Sequence, residues 1–239
     1  MLARSFLVVA VLALAVPFAS SSSPNRLRVL FVGNSLTATN DLPGRVQAIA
    51  RNLGEVELEV ASYTPGGYAL EDHWRDAEAR TMVEAGGWDV VVFQQGPSSL
   101  PSSGVNLREW TATWARALRA HGGRPALLTV WPEKARSYAF ANVIHNYRAA
   151  AVTAKTGLFP AGLAWSRSLA AAPRIRLYGP DGFHPAPVGT YLAALVVYSG
   201  LVGHVPAGLP ALGVELGVGA RKTLRLAAVF ASANTRAAR

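Results

Sequence analysis

Two runs in which every residue is apolar, Val29-Leu30-Phe31-Val32 and Val90-Val91-Val92-Phe93, place the tightest limit on how this chain can fold. A strand with one wet face alternates apolar with polar residues, whereas a run apolar at every position needs cover on both faces. That is the situation of a central strand in a parallel sheet. The first strand is read over 27–32 and the second buried one over 88–93, with shorter apolar strands over 126–130 and 158–160. Residues 55–60, Glu-Val-Glu-Leu-Glu-Val, instead alternate strictly and read as a half-exposed edge strand. Its glutamates form a solvated face that discourages further pairing.

Helical spacing fills the gaps between these strands. Residues 42–53 place Val46, Ile49, Ala50 and Leu53 on one stripe, with Asp41 as a cap and Pro43 near the start. Further helices are expected over 70–85, after a Ser/Pro/Gly-rich loop reaching Asn106, and over 139–155, 161–171, 188–201 and 218–233. Leu107, Trp110, Trp114 and Leu118 share one stripe of the helix after Asn106 and read as core. Strand and helix alternate throughout, which predicts a parallel sheet inside a three-layer α/β/α sandwich.

The 239 residues suffice for one such domain over 24–239, and no linker-like stretch divides it. Residues 1–23 read as an export signal: Arg4 gives a charged start, 6–16 an apolar stretch, and Ala19 with the serines after it a small-residue exit. The apolar stretch is shorter than the roughly 20 residues of a membrane span, so no stable span is expected once the signal is removed. An exported protein, periplasmic or extracellular, follows. Cysteine is absent, which excludes disulfides, thiolate metal sites and cysteine nucleophiles. Lys and Arg outnumber Asp and Glu by 23 to 14, for a net charge of +9. The excess is arginine scattered over helices without a nucleic-acid motif, so a positively charged surface explains it and no nucleic-acid partner is expected.

Chemistry concentrates where strands end. The first strand stops at Gly33-Asn34-Ser35, and in an open α/β sheet ligands bind outside the carboxyl ends of the strands. Ser35 reads either as a nucleophile or as the cap of the next helix. The edge strand leads to Gly66-Gly67, a plain turn or a place where a backbone N–H approaches a ligand. The second buried strand leads to Gln94-Gln95-Gly96-Pro97-Ser98. Near the end of the chain, Asp181-Gly182-Phe183-His184 precedes a helix that Pro187 is suited to start. A serine hydroxyl needs a base, and His184 is the histidine best placed to serve. Asp181, three residues earlier, can accept the other ring N–H and fix the tautomer. The alternative is a polar turn that caps the helix. His73 reads as a packing or surface residue, with a catalytic place facing the cleft as the alternative, and His121 and His145 read as structural or exposed.

These blocks, in this order, resemble the SGNH (GDSL-type) hydrolase superfamily of serine esterases. Gly33-Asn34-Ser35-Leu36 is similar to the nucleophile block, Gly67 to the second block, Gln95-Gly96 to the region of the third, and Asp181-x-x-His184 to the last. The resemblance implies a flavodoxin-like sheet of five parallel strands and a Ser35, His184 and Asp181 catalytic set. It also implies an oxyanion hole from the Ser35 and Gly67 backbone N–H groups and a third-block side chain, with no metal and no cofactor. Two positions depart from the pattern: Asn34 stands where the family often has Asp, and Ser98 where the third block normally has Asn. Members resembling carbohydrate O-acetylesterases carry Gln-Gly in this region, so Gln95 is expected as the donor, with Ser98 as the substitute.

The resulting expectation is a serine esterase acting on a small-molecule or glycan ester through an acyl-enzyme, with O-acetylated carbohydrate as the preferred substrate. Acyl transfer or lipid ester cleavage by the same three residues, and an inactive glycan-binding protein of the same fold, are the alternatives.

Overall fold

In the computed structural model, which describes residues 25–236, strand β1 (Asn25–Val32) lies inside the sheet because its last four side chains have no tolerance for water. Val29, Leu30, Phe31 and Val32 are all buried. Each such side chain contributes about 1.5–3 kcal/mol on burial, so the run fixes the strand's place before any polar contact is considered. The expected export signal over 1–23 lies outside the described residues.

The short helix α1 (Ser35–Ala38) follows, then α2 (Leu42–Leu53), and the edge strand β2 (Val56–Tyr63) pairs only with β1. Asp41 caps α2 through the Gly44 N–H, as its position suggested. On β2, Glu59 meets Arg26 and Arg28 of β1 in exposed ion pairs, so the acidic face is solvated. Such pairs contribute about 1 kcal/mol or less.

The helix expected over 70–85 is two helices, α3 (Leu70–Arg75) and α4 (Ala77–Glu84). They break at Asp76, which adopts extended backbone and turns its carboxylate onto the Glu78 N–H. Local capping wins there over continuation of the helix. Strand β3 (Val90–Phe93) then leads to α5 (Pro101–Ala120), which begins inside the stretch read as a loop to Asn106. Pro101 opens the first turn, and the Ser103 hydroxyl accepts from the Leu100 N–H. Residues that read as loop formers are here start signals.

Strand β4 (Arg124–Leu128), a 3-10 turn over Lys134–Ala139, α6 (Phe140–Ala154), β5 (Gly157–Phe159) and α7 (Ala161–Ala171) follow. The chain ends in α8 (Pro187–Val202) and α9 (Val218–Arg236). The sheet order is β2-β1-β3-β4-β5 and every pairing is parallel. One helical layer contains α2, α7, α8 and α9, and the other α3 to α6, giving the expected three layers. Helix α8 is buried at every position from Gly189 to Ser199. A helix apolar all round needs such a central place, between α2 and α7 and under α9.

Because all five strands run the same way, the loops after β1, β2 and β3 open on one edge of the sheet. The reversal of strand order at β1 and β3 leaves a crevice there.

Candidate active site

Ser35 is the first residue of α1, and the residue that caps this helix is Asn34, whose Oδ1 accepts from the Leu36 N–H at 3.1 Å. The Ser35 hydroxyl is thereby released from capping. The turn that presents it is held tightly from beneath. Gly33 donates to the Tyr63 carbonyl at 3.1 Å, and its own carbonyl accepts from His73 Nε2 at 2.8 Å. A side chain at position 33 would come within 2.6 Å of Gln94 Oε1 and 2.8 Å of Thr37 Oγ1, so only glycine fits. That Gln94 oxygen accepts from the Asn34 N–H at 2.9 Å and from the Thr37 hydroxyl at 2.8 Å. The Gln94 nitrogen donates back to Asn34 Oδ1 at 3.0 Å.

Gln94, a residue the sequence reading passed over, is therefore the hub of this turn. A signal existed, since a polar residue directly after an all-apolar strand must find partners of its own. His73 is fully buried, and its ring lies edge-on to Tyr63 and Tyr68. Burial holds its pKa below the ordinary histidine value. A carbonyl can only accept, so Nε2 carries the proton, and Nδ1 has no hydrogen-bond partner among the described residues. His73 is a packing residue, as read, but one that grips the serine turn.

The loop before α8 brings in the second group. His184 Nε2 lies 2.9 Å from Ser35 Oγ, across 149 positions of sequence. On the other side of the ring, Nδ1 lies 2.5 Å from Asp181 Oδ2. The second carboxylate oxygen of Asp181 accepts from the Phe183 and His184 backbone N–H groups, each at 3.0 Å. Donation from the His184 ring, aided by the Phe183 N–H, holds the Asp181 carboxyl below the usual carboxylate range. The loop carrying these residues is exposed but tied through its backbone. Trp131 Nε1 donates to the Phe183 carbonyl at 3.0 Å, the Lys134 N–H to Gly182 at 2.8 Å, and Asn40 Nδ2 to Pro185 at 2.8 Å. Asn40 joins the two halves directly, since it sits between α1 and α2 on the serine side. Its backbone is left-handed, at φ +56, which asparagine tolerates better than most residues.

The glycine loop reaches the same place. Asn34 Nδ2 donates to the Tyr68 carbonyl at 2.9 Å, which draws residues 66–68 against the serine turn. Gly67 is exposed with φ +77, and nothing lies within 4 Å of where a side chain would project. Neither the Ser35 nor the Gly67 backbone N–H has an acceptor among the described residues. The third loop is placed by its own bonds. Gln95 Oε1 accepts from the Leu70 N–H at 3.1 Å, and its Nε2 donates one hydrogen to Ser98 Oγ at 2.9 Å. Ser98, left-handed at φ +52, donates from its own hydroxyl to the Gly96 carbonyl at 3.0 Å. The Tyr147 hydroxyl donates to the Gln95 and Gly96 carbonyls from below. Burial pushes that phenol well above the ordinary tyrosine value.

The histidine loop borders, through Phe183, a small recess of about 170 Å³ whose other lining residues include Ser98, Leu100, Glu133 and Arg136 but neither Ser35 nor His184. Among the described residues no three His, Asp or Glu side chains come together in a way that could hold a metal ion. No helix among them is long and apolar enough to cross a membrane. His121 closes α5 and His145 lies on α6, both exposed and away from Ser35.

No protein-family model matches the sequence, and no curated protein is significantly similar to it. Solved structures do match. The chain is similar to a DUF4886 family protein from Bacteroides uniformis, at 15% identity and a TM-score of 0.72 over 87% of this chain and 95% of that one. It is similar to a candidate SGNH hydrolase from Slackia heliotrinireducens, at 26% identity and a TM-score of 0.61 over 74% of this chain and 100% of that one. A lipase/acylhydrolase from Enterococcus faecalis matches at 14% identity and a TM-score of 0.61 over 77% and 100%. The sheet order and flanking helices are those of the SGNH/GDSL hydrolase fold.

Proposed function

We propose that the protein is a serine esterase of the SGNH type, exported and folded as one domain over 24–239, in which Ser35, His184 and Asp181 carry the reaction. The observation that supports this most is the unbroken line from Ser35 Oγ to His184 Nε2 at 2.9 Å and from His184 Nδ1 to Asp181 at 2.5 Å. As the Ser35 oxygen attacks an ester carbonyl, its proton passes to His184 Nε2. The carbonyl π electrons move onto oxygen. The two free N–H groups of Ser35 and Gly67 face the charge that develops, with the second hydrogen of Gln95 Nε2 as the third donor. When the tetrahedral species collapses, the alcohol leaves with the proton held by His184, and the acyl group stays on Ser35. Water then repeats the sequence in reverse order, with His184 again taking a proton, and releases the acid.

Asp181 stays ionised throughout and stabilises the imidazolium that forms twice in the cycle. Gln95-Gly96, the block that resembles carbohydrate O-acetylesterases, supports an O-acetyl group on carbohydrate as the substrate class.

The experiment is hydrolysis of p-nitrophenyl acetate by purified protein and by Ser35→Ala. Loss of at least about 10⁴-fold in turnover is expected, with the melting temperature unchanged because the Ser35 hydroxyl has His184 as its hydrogen-bond partner and supports nothing else. Retained turnover in the variant would remove Ser35 from the reaction.

A further inference from the structure

The opposite edge of the sheet holds a cavity that the proposed ester chemistry does not use. It has a volume of about 660 Å³ and is lined by the first residues of three strands, Val90, Arg124 and Gly157. Because the strands are parallel, these amino ends lie away from the loops that carry Ser35, Gly67 and Gln95. The size is that of a small-molecule site, for which 300–1,000 Å³ is about the usual range.

Four cationic side chains line this cavity, Arg119, Arg124, Arg148 and Lys155, and no Asp or Glu is among its lining residues. None of the four is ion-paired to a described carboxylate. Arg119 has a structural task, since it donates to the Ala154 and Lys155 carbonyls at the end of α6. The others are not used in that way. Arg124 makes one long contact, at 3.4 Å, to the Asp89 carbonyl. Arg148 Nε is buried behind the wall and lacks a hydrogen-bond partner among the described residues, so the guanidinium is tied to no neighbour. The Arg148 guanidinium makes no hydrogen bond among the described residues, so its terminal nitrogens, with those of Arg124 and Lys155, are left for an anion in the cavity. Between the cations the surface is apolar: Leu158 and Leu201 line it, and Val152 is 61% exposed.

We propose that this cavity binds a phosphate monoester with an apolar body. The phosphate head is held by Arg124, Arg148 and Lys155, and the apolar part lies on Val152, Leu158 and Leu201. A phosphate offers three terminal oxygens and close to two negative charges, which can serve several cationic donors at once. A carboxylate, with two oxygens and one charge, leaves part of the donor set unmet. Four cations around one concavity, rather than along a track, fit a small ligand better than a polyanion.

The test is titration calorimetry of the full chain with n-octyl phosphate below its micellar concentration. Saturable one-to-one binding is expected, at least about tenfold tighter than inorganic phosphate or octanoate, with none for n-octanol. Arg148→Gln should weaken it at least about tenfold. Arg148 is partly buried, so Val152→Glu is the second variant: it places a carboxylate at an exposed position, keeps the melting temperature, and should weaken binding by a similar factor. Ser35→Ala should bind n-octyl phosphate as the parent does, since the cavity is at the other edge. Equal binding by the Arg148 and Val152 variants, equal binding of octanoate, or loss of binding in Ser35→Ala would overturn the proposal. So would capture of the protein only by phosphatidylglycerol vesicles, which would make this face a membrane contact.

Discussion

The serine turn and the histidine loop meet at one hydroxyl but are held by different kinds of bond. Beneath Ser35, buried side chains do the holding: Gln94, His73 and Asn34 saturate the turn, and the first two are 1% and 0% exposed. Around His184 the supporting bonds run to the loop's backbone, whose carbonyls accept from Trp131, Lys134 and Asn40 and whose N–H groups donate to Asp181, while the Asp181 and His184 side chains keep 50% and 36% of their surface. The difference lies in what remains after a side chain is removed. A partner lost in the turn leaves a buried polar group that water cannot reach, whereas a partner lost in the loop is replaced by water. The turn therefore couples fold to activity, and the loop separates them.

Asp181→Asn is the widest test of that separation. The substitution removes the charge that steadies an imidazolium and alters which ring nitrogen carries the proton, so kcat/KM should fall by about 10³- to 10⁴-fold. Thermal stability at pH 7 should hardly move, because the side chain is half exposed. The pH dependence sharpens it. The folded-state pKa of Asp181 lies below the ordinary carboxylate value. Its contribution to stability is thus complete above that ordinary value and fades only as the pH falls through the lower, folded one. An acid limb in the parent's rate above about pH 5 then does not belong to Asp181, which is still ionised there. A melting temperature that falls together with activity in Asp181→Asn would break the comparison.

Gln94→Ala probes the other side. It leaves the Asn34 N–H and the Thr37 hydroxyl without their acceptor in a buried site. About 2–4 kcal/mol of stability should be lost, read as a fall of roughly 5–15 °C in melting temperature. Activity should fall with it, because the backbone that aims Ser35 is released. Full activity at lowered stability would show that α1 alone positions the serine.

The sequence made Ser35, Asp181 and His184 legible for a local reason. Each stands in a short segment, strand-Gly-Asn-Ser or Asp-Gly-Phe-His before a helix, whose turn chemistry can be read without knowing the rest of the fold. The apolar runs at 29–32 and 90–93 likewise declared a doubly covered sheet. Gln94 was missed because it stands beside Gln95, and adjacent residues leaving a strand point to opposite sides. Nothing in two neighbouring glutamines says which one turns under Ser35 and which toward Leu70 and Ser98. Asn40 was missed for another reason: its partner at Pro185 is 145 positions away, and only the finished fold brings them together. The break at Asp76 and the early start of α5 at Pro101 are capping events, where one side chain outweighs the propensity of its neighbours.

Asp76 also supplies the smallest effect, at the outer margin of the serine turn. Its carboxylate accepts from the Tyr63 hydroxyl at 2.5 Å, and this contact pushes the Tyr63 phenol up from its ordinary value to about 12. The same proton, together with the Glu78 N–H, lowers the Asp76 carboxyl. Ionising Tyr63 would cost that bond and set two negative charges side by side. Asp76→Asn removes the charge and leaves one oxygen where the carboxylate uses two, Oδ1 to cap α4 and Oδ2 to accept from the phenol. Ultraviolet titration should then find the Tyr63 phenol returning toward about 10, the ordinary tyrosine value. Turnover should stay within about twofold, because Tyr63 touches the serine turn through its backbone carbonyl, bonded to Gly33, and not through its ring hydroxyl. A phenol that keeps its raised value in the variant would trace the shift to burial instead. A large loss of turnover would mean that the buried network under Ser35 extends outward to the start of α4.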